Sequence, residues 1–292
     1  MARLDAGPGS SRALRTLLRR RTAVVGALIV AVNLAVAAAA PVLARWDPQY
    51  LDVRTRLAAP TRAHWMGTDH FGRDVWSRVV YGARLSMVVG ASVVGLSLLG
   101  GLPFGLASGY YRRLDNPVMR VMDGLMAFPG IILAIALMAS LGPSVLNVVV
   151  ALGIVYVPRV ARIVRGSVLV IRETPYVEAA RALGGLDLRI LSWHVLPNCL
   201  SPVIVQATFI FAAAVLGEAA LSFLGVGVPP QIPSWGNVLA DGRLYLQQAP
   251  WLTVFPGMAI MAGILGLNLF GDGLRDLLDP KLRGAQGAAR DT

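Results

Sequence analysis

The chain has a single cysteine, Cys199, and only three histidines, His64, His70 and His194, in 292 residues. A lone thiol cannot close a disulfide within the chain, and cysteine-based zinc sites are excluded with it. Histidines this far apart give no His-rich metal site. Lysine is nearly missing too: of 27 basic residues only Lys281 is a lysine, and it follows Pro280. A G-x-x-x-x-G-K-[ST] loop therefore does not occur, so the chain has no P-loop of its own for a nucleotide. H-E-x-x-H and G-x-S-x-G are absent as well. Charge is scarce, at 15% of residues, where an ordinary soluble domain carries roughly 25%. That argues against a soluble enzyme, whose surface needs more charge.

What the chain does have is apolar length. Hydrophobic residues make up 55% and the mean hydropathy is +0.62, which excludes disorder. The formal charge is +11. A basic balance can signal nucleic acid, but here the charges sit between long uncharged tracts, so no nucleic-acid partner is expected. A bilayer core about 30 Å thick needs about 20 apolar residues as helix. The charge-free tracts give six such spans, at 22–44, 85–109, 117–141, 144–166, 199–218 and 250–271. The third and fourth come from one long tract broken at Gly142-Pro143-Ser144, a helix stop followed by a restart. The tract 219–240 carries Gly225, Gly227, Pro229, Pro230, Pro233 and Gly236 and reads as a loop. The first span is longer than the h-region of about 7–15 residues in a signal peptide, so it reads as retained, although Ala37–Pro41 resembles a cleavage site. The fold class is all-α, a polytopic membrane protein.

Charge orients the spans. Residues 1–21 carry six Arg and one Asp, which holds a basic N-terminus in the cytoplasm. Six spans then bring the C-terminal tail, 272–292, back to the same side. The inner segments hold 19 basic residues and the outer ones 8. One loop fits poorly: 45–84, assigned outside, has seven Arg against four Asp.

The segment 159–197 is longer than a connector between spans, which runs about two to eight residues. Thr174-Pro175 reads as N-cap and first helical residue. The helix continues through Leu183, and Gly184-Gly185 ends it. Glu178 lies in the first turn, where the helix dipole favours an acid. Asp187 reads as the cap of a second short helix, with Leu186 and Leu191 at the spacing of a hydrophobic staple. These residues describe an ordered elbow at 174–197. Its physics alone leaves two readings open: a docking surface for a partner, or an interfacial helix on lipid.

Glu178-Ala179-Ala180, Gly184 and Leu196-Pro197 match the spacing E-A-A-x3-G-x9-I-x-L-P. This resembles the signature of ABC-importer permease subunits. His194 stands where the general pattern has an apolar residue, as in the peptide branch, which reads H-x-L-P. Gly67-Thr68-Asp69 with Gly72-Arg73-Asp74, Ser77-Arg78, Tyr81–Ser86, Leu221–Gly227, Pro233-Ser234-Trp235-Gly236, and Asn268 through Gly271–Asp276 to Asp279-Pro280 are similar to the dipeptide/oligopeptide/nickel permease family, and in particular to its C-type, second subunit. The resemblance covers about 20–283. It implies a MetI-like core of five helices at 85–271 and a heterodimer with a homologous B-type permease. It further implies two cytoplasmic ATPase domains or subunits, an extracytoplasmic substrate-binding protein, and a multi-pass place in a prokaryotic inner membrane. In that family the first elbow helix is the coupling helix, which makes Glu178, Ala179, Ala180, Leu183, Gly184, Leu196 and Pro197 the ATPase-coupling residues. The implied cargo is di- or oligopeptide; nickel complexes, glutathione and haem also occur in the family. No cofactor, metal or catalytic residue is expected on this chain, since ATP would be hydrolysed elsewhere.

Three residues are candidates for a pathway or gate. Asp123 is an acid near a span, functional by default or else an interfacial acid paired with Arg120. Pro129, with Gly130, interrupts the third span and kinks it at the pore or against a neighbour. Glu218 ends the fifth span and either faces a vestibule or is a solvated surface acid. Arg159, Arg162 and Arg165 read as positive-inside anchors, and Trp235, Tyr245 and Trp251 as interface aromatics. The small residues Gly90, Ala91, Ser92, Gly95, Ser97, Gly100 and Gly101 allow close helix contact, within the chain or with a partner permease. An ion-coupled secondary transporter is the remote alternative; it calls for a midplane ion site and inverted repeats, and neither is visible in the sequence.

The charge asymmetry gives the first prediction. In a Cys199→Ser background, the thiol of Arg62→Cys should react with an impermeant reagent added to intact cells. That of Arg181→Cys should react only after the membrane is opened. Labelling of intact cells at 181 would overturn the N-in orientation.

Overall fold

The computed structural model describes residues 21–278, so the basic residues 1–20 and the end of the tail, including Asp279-Pro280 and Lys281, lie outside the described residues. The helices are α1 (Arg21–Ala38), α2 (Ala40–Leu43), α3 (Val75–Tyr110), α4 (Arg112–Met126), α5 (Gly130–Leu141), α6 (Val145–Ile171), α7 (Pro175–Ala182), α8 (Asp187–Ile190), α9 (Leu196–Phe223), α10 (Trp235–Gly242) and α11 (Trp251–Leu278). A π-helical turn, Leu191–Val195, joins α8 to α9. Among the described residues the only extended pairing is one antiparallel bridge between Thr68 and Asp74.

The central contact is a seam between α3 and α6. Gly101, Gly105 and Gly109 recur every fourth residue and so share one face of α3. Val160, Val164 and Val168 do the same on α6. A Cβ on Gly101 would lie 2.4 Å from Val160 Cβ, one on Gly105 2.6 Å from Val164 Cβ, and one on Gly109 2.6 Å from Val168 Cβ. Only hydrogen fits there, and the backbones close onto each other. Of the small residues flagged in the second span, Gly90, Gly100 and Gly101 therefore serve packing within the chain. The G-x3-G-x3-G phase starts at Gly101, the last residue of the run flagged in the sequence, and continues beyond it.

The seam fixes topology. Gly153 meets Leu96, Gly100 meets Val157 and Gly109 meets Val168, so position rises along both helices together and α3 runs parallel to α6. A chain that crosses twice in one direction must return between the two crossings. The return is made by α4 and α5, which meet at an 88° bend. Five helices are long and apolar enough to cross, and the bent pair makes the sixth crossing. The smooth third span read as 117–141 is thus corrected: the helix starts at Arg112, Pro117 lies inside it, and the chain breaks at Ala127–Pro129. α4 is amphipathic and α5 is strongly apolar, so only α5 is membrane-like through its length.

α1 packs antiparallel on α11. Gly273 meets Ala23, Gly26 meets Phe270, and Gly266 meets Ile29. The start of α1 and the end of α11 therefore lie on one face, together with α7 and α8; this is the elbow face. Residues 44–74 and the segment from Leu224 to Pro250 cap the opposite, loop face. α3 has 36 residues, about 54 Å at 1.5 Å per residue, and projects beyond any bilayer core. The boundary expected at 84/85 is corrected accordingly: the helix begins at Val75, and Arg78 and Arg84 interrupt the apolar run without ending the helix. α9 likewise extends to Phe223, and the tract read as loop contains the short helix α10.

Gly105→Leu should destabilise the protein by about 1–3 kcal/mol through overpacking, read as a lower melting temperature in detergent. Gly95 has nothing within 4 Å of a built Cβ, so Gly95→Ala should leave melting unchanged. Equal behaviour of the two variants would overturn the seam.

Candidate functional site

The elbow is built as a closed turn anchored at its ends. Thr174 precedes α7 and Pro175 opens it, as the sequence indicates. Thr174 Oγ1 donates to Ile171 O at 2.6 Å and does not cap the helix. At the other end the Gly184 N–H donates to Arg181 O and the Gly185 N–H to Ala180 O, both at 3.0 Å. That pair of bonds is a Schellman motif, which needs a left-handed residue at its centre; Gly184 supplies it with φ +80°. Val177, Ile190 and Val195 are buried and pin the elbow to the bundle. Glu178, Ala179 and Gly184 are exposed, and Ala180 is half-buried. Leu183 is 89% exposed. Leu196 is half-buried and Pro197 exposed at the start of α9.

Asp187 does not cap α8. It accepts a hydrogen bond from Tyr110 Oη at 2.7 Å. Leu186 is 75% exposed, so the expected staple is not formed either. The Arg181 guanidinium lies 5.1 Å over the Tyr110 ring. Tyr110, the last residue of α3, thus holds α7 and α8 together. Leu188 and Trp193 are exposed beside them. An apolar surface of this kind marks an interaction site.

The candidate pathway residues are placed differently from expectation. Asp123 is exposed and pairs at 2.6 Å with Arg162, not with Arg120. Arg165 binds Asp115 through two bonds, at 2.5 and 2.7 Å, and Arg172 donates to Gly109 O at 2.7 Å. The arginines at the end of α6 therefore strap α4 and the end of α3 to it; Arg159 lies over the Tyr156 ring. Pro129 is exposed in the break before α5. Glu218 is 0% exposed, neither a solvated acid nor one facing a vestibule. It accepts from Ser86 Oγ on α3 at 3.0 Å and from Ser222 Oγ at 2.9 Å, with Ser234 as a third partner. Ser222 Oγ in turn accepts the Val228 N–H at 3.2 Å. The acid thus ties the loop after α9 to α3.

The loop face holds a second cluster, whose residues the sequence reading used only as a signature. Asp69 accepts the N–H groups of Phe71 and Arg73 and bonds Arg73 Nε at 2.5 Å. Arg73 and the fully buried Arg78 both donate to Asp241 Oδ2, at 2.8 and 3.0 Å. Asp74 caps α3 through Ser77 and meets His64 Nδ1 at 2.9 Å. Gly67 and Gly72 have positive φ, and a Cβ on Gly72 would run into Asp52 O. The G-T-D-x-x-G-R-D motif is therefore a turn that folds Asp69 onto Arg73 and sets Asp74 to cap α3. Burial pushes the Asp241 carboxyl above its ordinary range and the His70 imidazole below its own. Asp69, His70 and Asp241 present ligand atoms within 4.8 Å of one another, but the guanidiniums already supply the positive charge a metal would bring. Trp235 is corrected from interface aromatic to core: it is 1% exposed and donates to Val79 O at 2.9 Å. Trp251 donates to Thr68 O at 3.1 Å, and Tyr245 stacks on His70.

A bundle with paired parallel spans, an exposed capped elbow on one face and a folded lock on the other defines a transporter permease subunit. Known sequences and structures agree. The profile described as binding-protein-dependent transport system inner membrane component matches residues 101–284. That for the N-terminal TM domain of oligopeptide transport permease C matches residues 10–60. The chain is 51% identical over 269 residues to a putative peptide transport system permease protein of Brucella suis, covering 92% of this chain and 91% of that one. It is 46% identical over 272 residues to the dipeptide transport system permease protein DppC of Alkalihalophilus pseudofirmus, covering 93% and 90%. The fold is similar to that of a chain in an inward-facing structure of the MetNI methionine ABC transporter, with TM-score 0.57 and 19% identity over 69% of this chain and 96% of that one. The chain belongs to the binding-protein-dependent transport system inner membrane components, in the C-type group.

Removing Asp241 should leave Arg78 buried without its closest acid, a change that costs about 3–5 kcal/mol. Asp241→Ala should therefore lower the melting temperature sharply, whereas an exposed acid such as Asp47→Ala should not. Equal melting would show that the lock contributes nothing to stability.

Proposed function

We propose that this chain forms half of the translocation pathway of an ATP-driven importer of di- or oligopeptides in a bacterial inner membrane. A homologous B-type permease supplies the other half. Two cytoplasmic ATPase domains or subunits dock on the elbow, and an extracytoplasmic binding protein delivers the peptide at the loop face. This chain is a non-catalytic subunit that binds no cofactor. The observation that carries the reading is the exposed elbow: a Schellman-closed helix, pinned at Val177 and Ile190, that presents Leu183 to solvent. An apolar side chain held out on an ordered turn gains nothing until a partner covers it.

The names of the relatives support peptide as the cargo, and the H-x-L-P variant at His194 agrees with them. Orientation follows from charge and topology together. Both ends of the described bundle lie on the elbow face, and the basic N-terminal segment favours the cytoplasm. That puts the coupling residues Glu178, Ala179, Ala180, Leu183, Gly184, Leu196 and Pro197 on the side where ATP is available.

Gly184→Val tests the coupling role. A β-branched residue at φ +80° is strained by about 1–3 kcal/mol, which opens the turn without touching the spans. The variant should reach the membrane at near-normal level, bind the ATPase subunits weakly in a pull-down and lose uptake. Glu178→Ala should have a milder effect, because it removes a charge and keeps the turn. Normal ATPase binding with normal uptake in Gly184→Val would sink the proposal.

A further inference from the structure

A cavity of about 760 Å³ lies on the elbow-face half of α9. Its wall is a stripe of α9, namely Asn198, Ser201, Gln206 and Phe209, flanked by Ile163 of α6 and Arg275 of α11. Positions 198, 201, 205/206 and 209 fall at helical spacing on one side of the helix. The buried side is different: Cys199, Val203 and Ile210 face the core. Asn198 Nδ2 donates to His194 O at 2.7 Å, which leaves its carbonyl oxygen free. Among the described residues the Gln206 amide and the Ser201 hydroxyl have no side-chain hydrogen bond.

That stripe does not suit either neighbour a membrane helix usually has. Against lipid, an unpaired amide is costly because hydrocarbon offers it no partner. Against another helix, this chain uses glycine faces that close to van der Waals contact, as along Gly101, Gly105 and Gly109; here mid-sized polar side chains stand beside an open volume. The volume falls within the range of about 300–1,000 Å³ typical of small-molecule sites. Its lining offers neutral donors and acceptors, with one cation, Arg275, at the mouth. Phe209 lies at the midpoint of Leu196–Phe223, and a Cβ on Gly271 of α11 would lie 3.7 Å from its ring. Phe209 is the lining residue farthest along α9 from the elbow.

We propose that this cavity is the exit half of the solute path, that Asn198, Ser201 and Gln206 meet the backbone amides of a passing peptide, and that Phe209 is the plug at its blind end. The assignment rests on the reading of the chain as a peptide permease. Neutral hydrogen-bonding groups suit a cargo whose backbone is constant and whose side chains vary. With Arg275 as the one charged residue of the lining, the hold on the peptide stays weak enough for release.

The test uses the full transporter in vesicles, with Cys199→Ser in this chain. Gln206→Cys should react with a hydrophilic methanethiosulfonate reagent supplied at the elbow face. Ala213→Cys, one turn beyond the plug on the same stripe, should not. Adding Phe209→Ala, or the gentler Phe209→Leu, should raise the rate at 213 by an order of magnitude and leave 206 unchanged. Gln206→Leu should slow uptake of a dialanine probe more than it slows ATP turnover. A thiol at 206 that reacts only with a lipid-soluble reagent would overturn the proposal, as would a rate at 213 unmoved by either change at 209. Thiol reactivity does not depend on the cargo. Failure of the unmodified transporter to take up dialanine or other peptides would therefore count against the peptide reading alone, and failure of the reactivity pattern against the cavity alone.

Discussion

Close contact between α3 and α6 is the constraint on which the rest of the structure depends. With no water inside a bilayer, burial of apolar surface cannot drive one helix onto another, and packing must do so. Three glycines in register on α3 let three valines of α6 reach its backbone. Because the two helices are parallel, the seam dictates a return crossing between them, and that return has to be made within 111–144. The bent pair α4–α5 follows from this. It also explains the pairings of Arg162 with Asp123 and Arg165 with Asp115: the polar residues of the amphipathic α4 are held to α6 by charge.

α3 also reaches both specialised faces. Its first turn carries Asp74, Ser77 and Arg78 into the loop-face lock, and its last residue, Tyr110, clamps Asp187 and Arg181 of the elbow. In between, Ser86 reaches Glu218 and so the loop that leads to α10. A displacement of the loop-face residues therefore has a stiff, hydrogen-bonded route to the elbow along a single helix. Coupling between distant sites needs such an element with both ends biased by a ligand, and α3 has the geometry for it.

Much of this was legible in the sequence, and the failures have physical causes. The helix class, six crossings and the elbow with its Gly184 stop followed from apolar length, from breakers and from capping chemistry, all of which are local. The boundary of α3 was misplaced because an uncharged run marks the membrane, whereas the helix continues past it to Asp74. Asp187 was read as a cap because that is what an aspartate there does when nothing else is near; Tyr110 is 77 positions away in sequence and competes for it. Glu218 was read as a vestibule-facing or surface acid because two of its three serine partners, Ser86 and Ser234, lie on other segments. The phase of the glycine repeat was missed by scanning the first half of the span, where Gly95 and Gly100 fall out of register. Asp123 and Pro129 were read as pathway or gate candidates; Asp123 pairs with Arg162, 39 positions away, and Pro129 lies in the break before α5.

The same reasoning resolves the loop that fitted the charge rule worst. Seven arginines against four acids in 45–84 argue against an outer location if every arginine is exposed. Arg73 and Arg78 are instead buried against Asp69 and Asp241, the latter contributed from a distant segment. The pairing satisfies these arginines in the folded protein, whereas the orientation rule acts during insertion. The pairing needs Asp241, which is made after five of the six crossings, so the lock cannot set the orientation of the first helix. The basic N-terminal segment has to do that alone. The lock then closes on whichever face the sixth crossing delivers it to, and in this fold that is the face opposite the elbow.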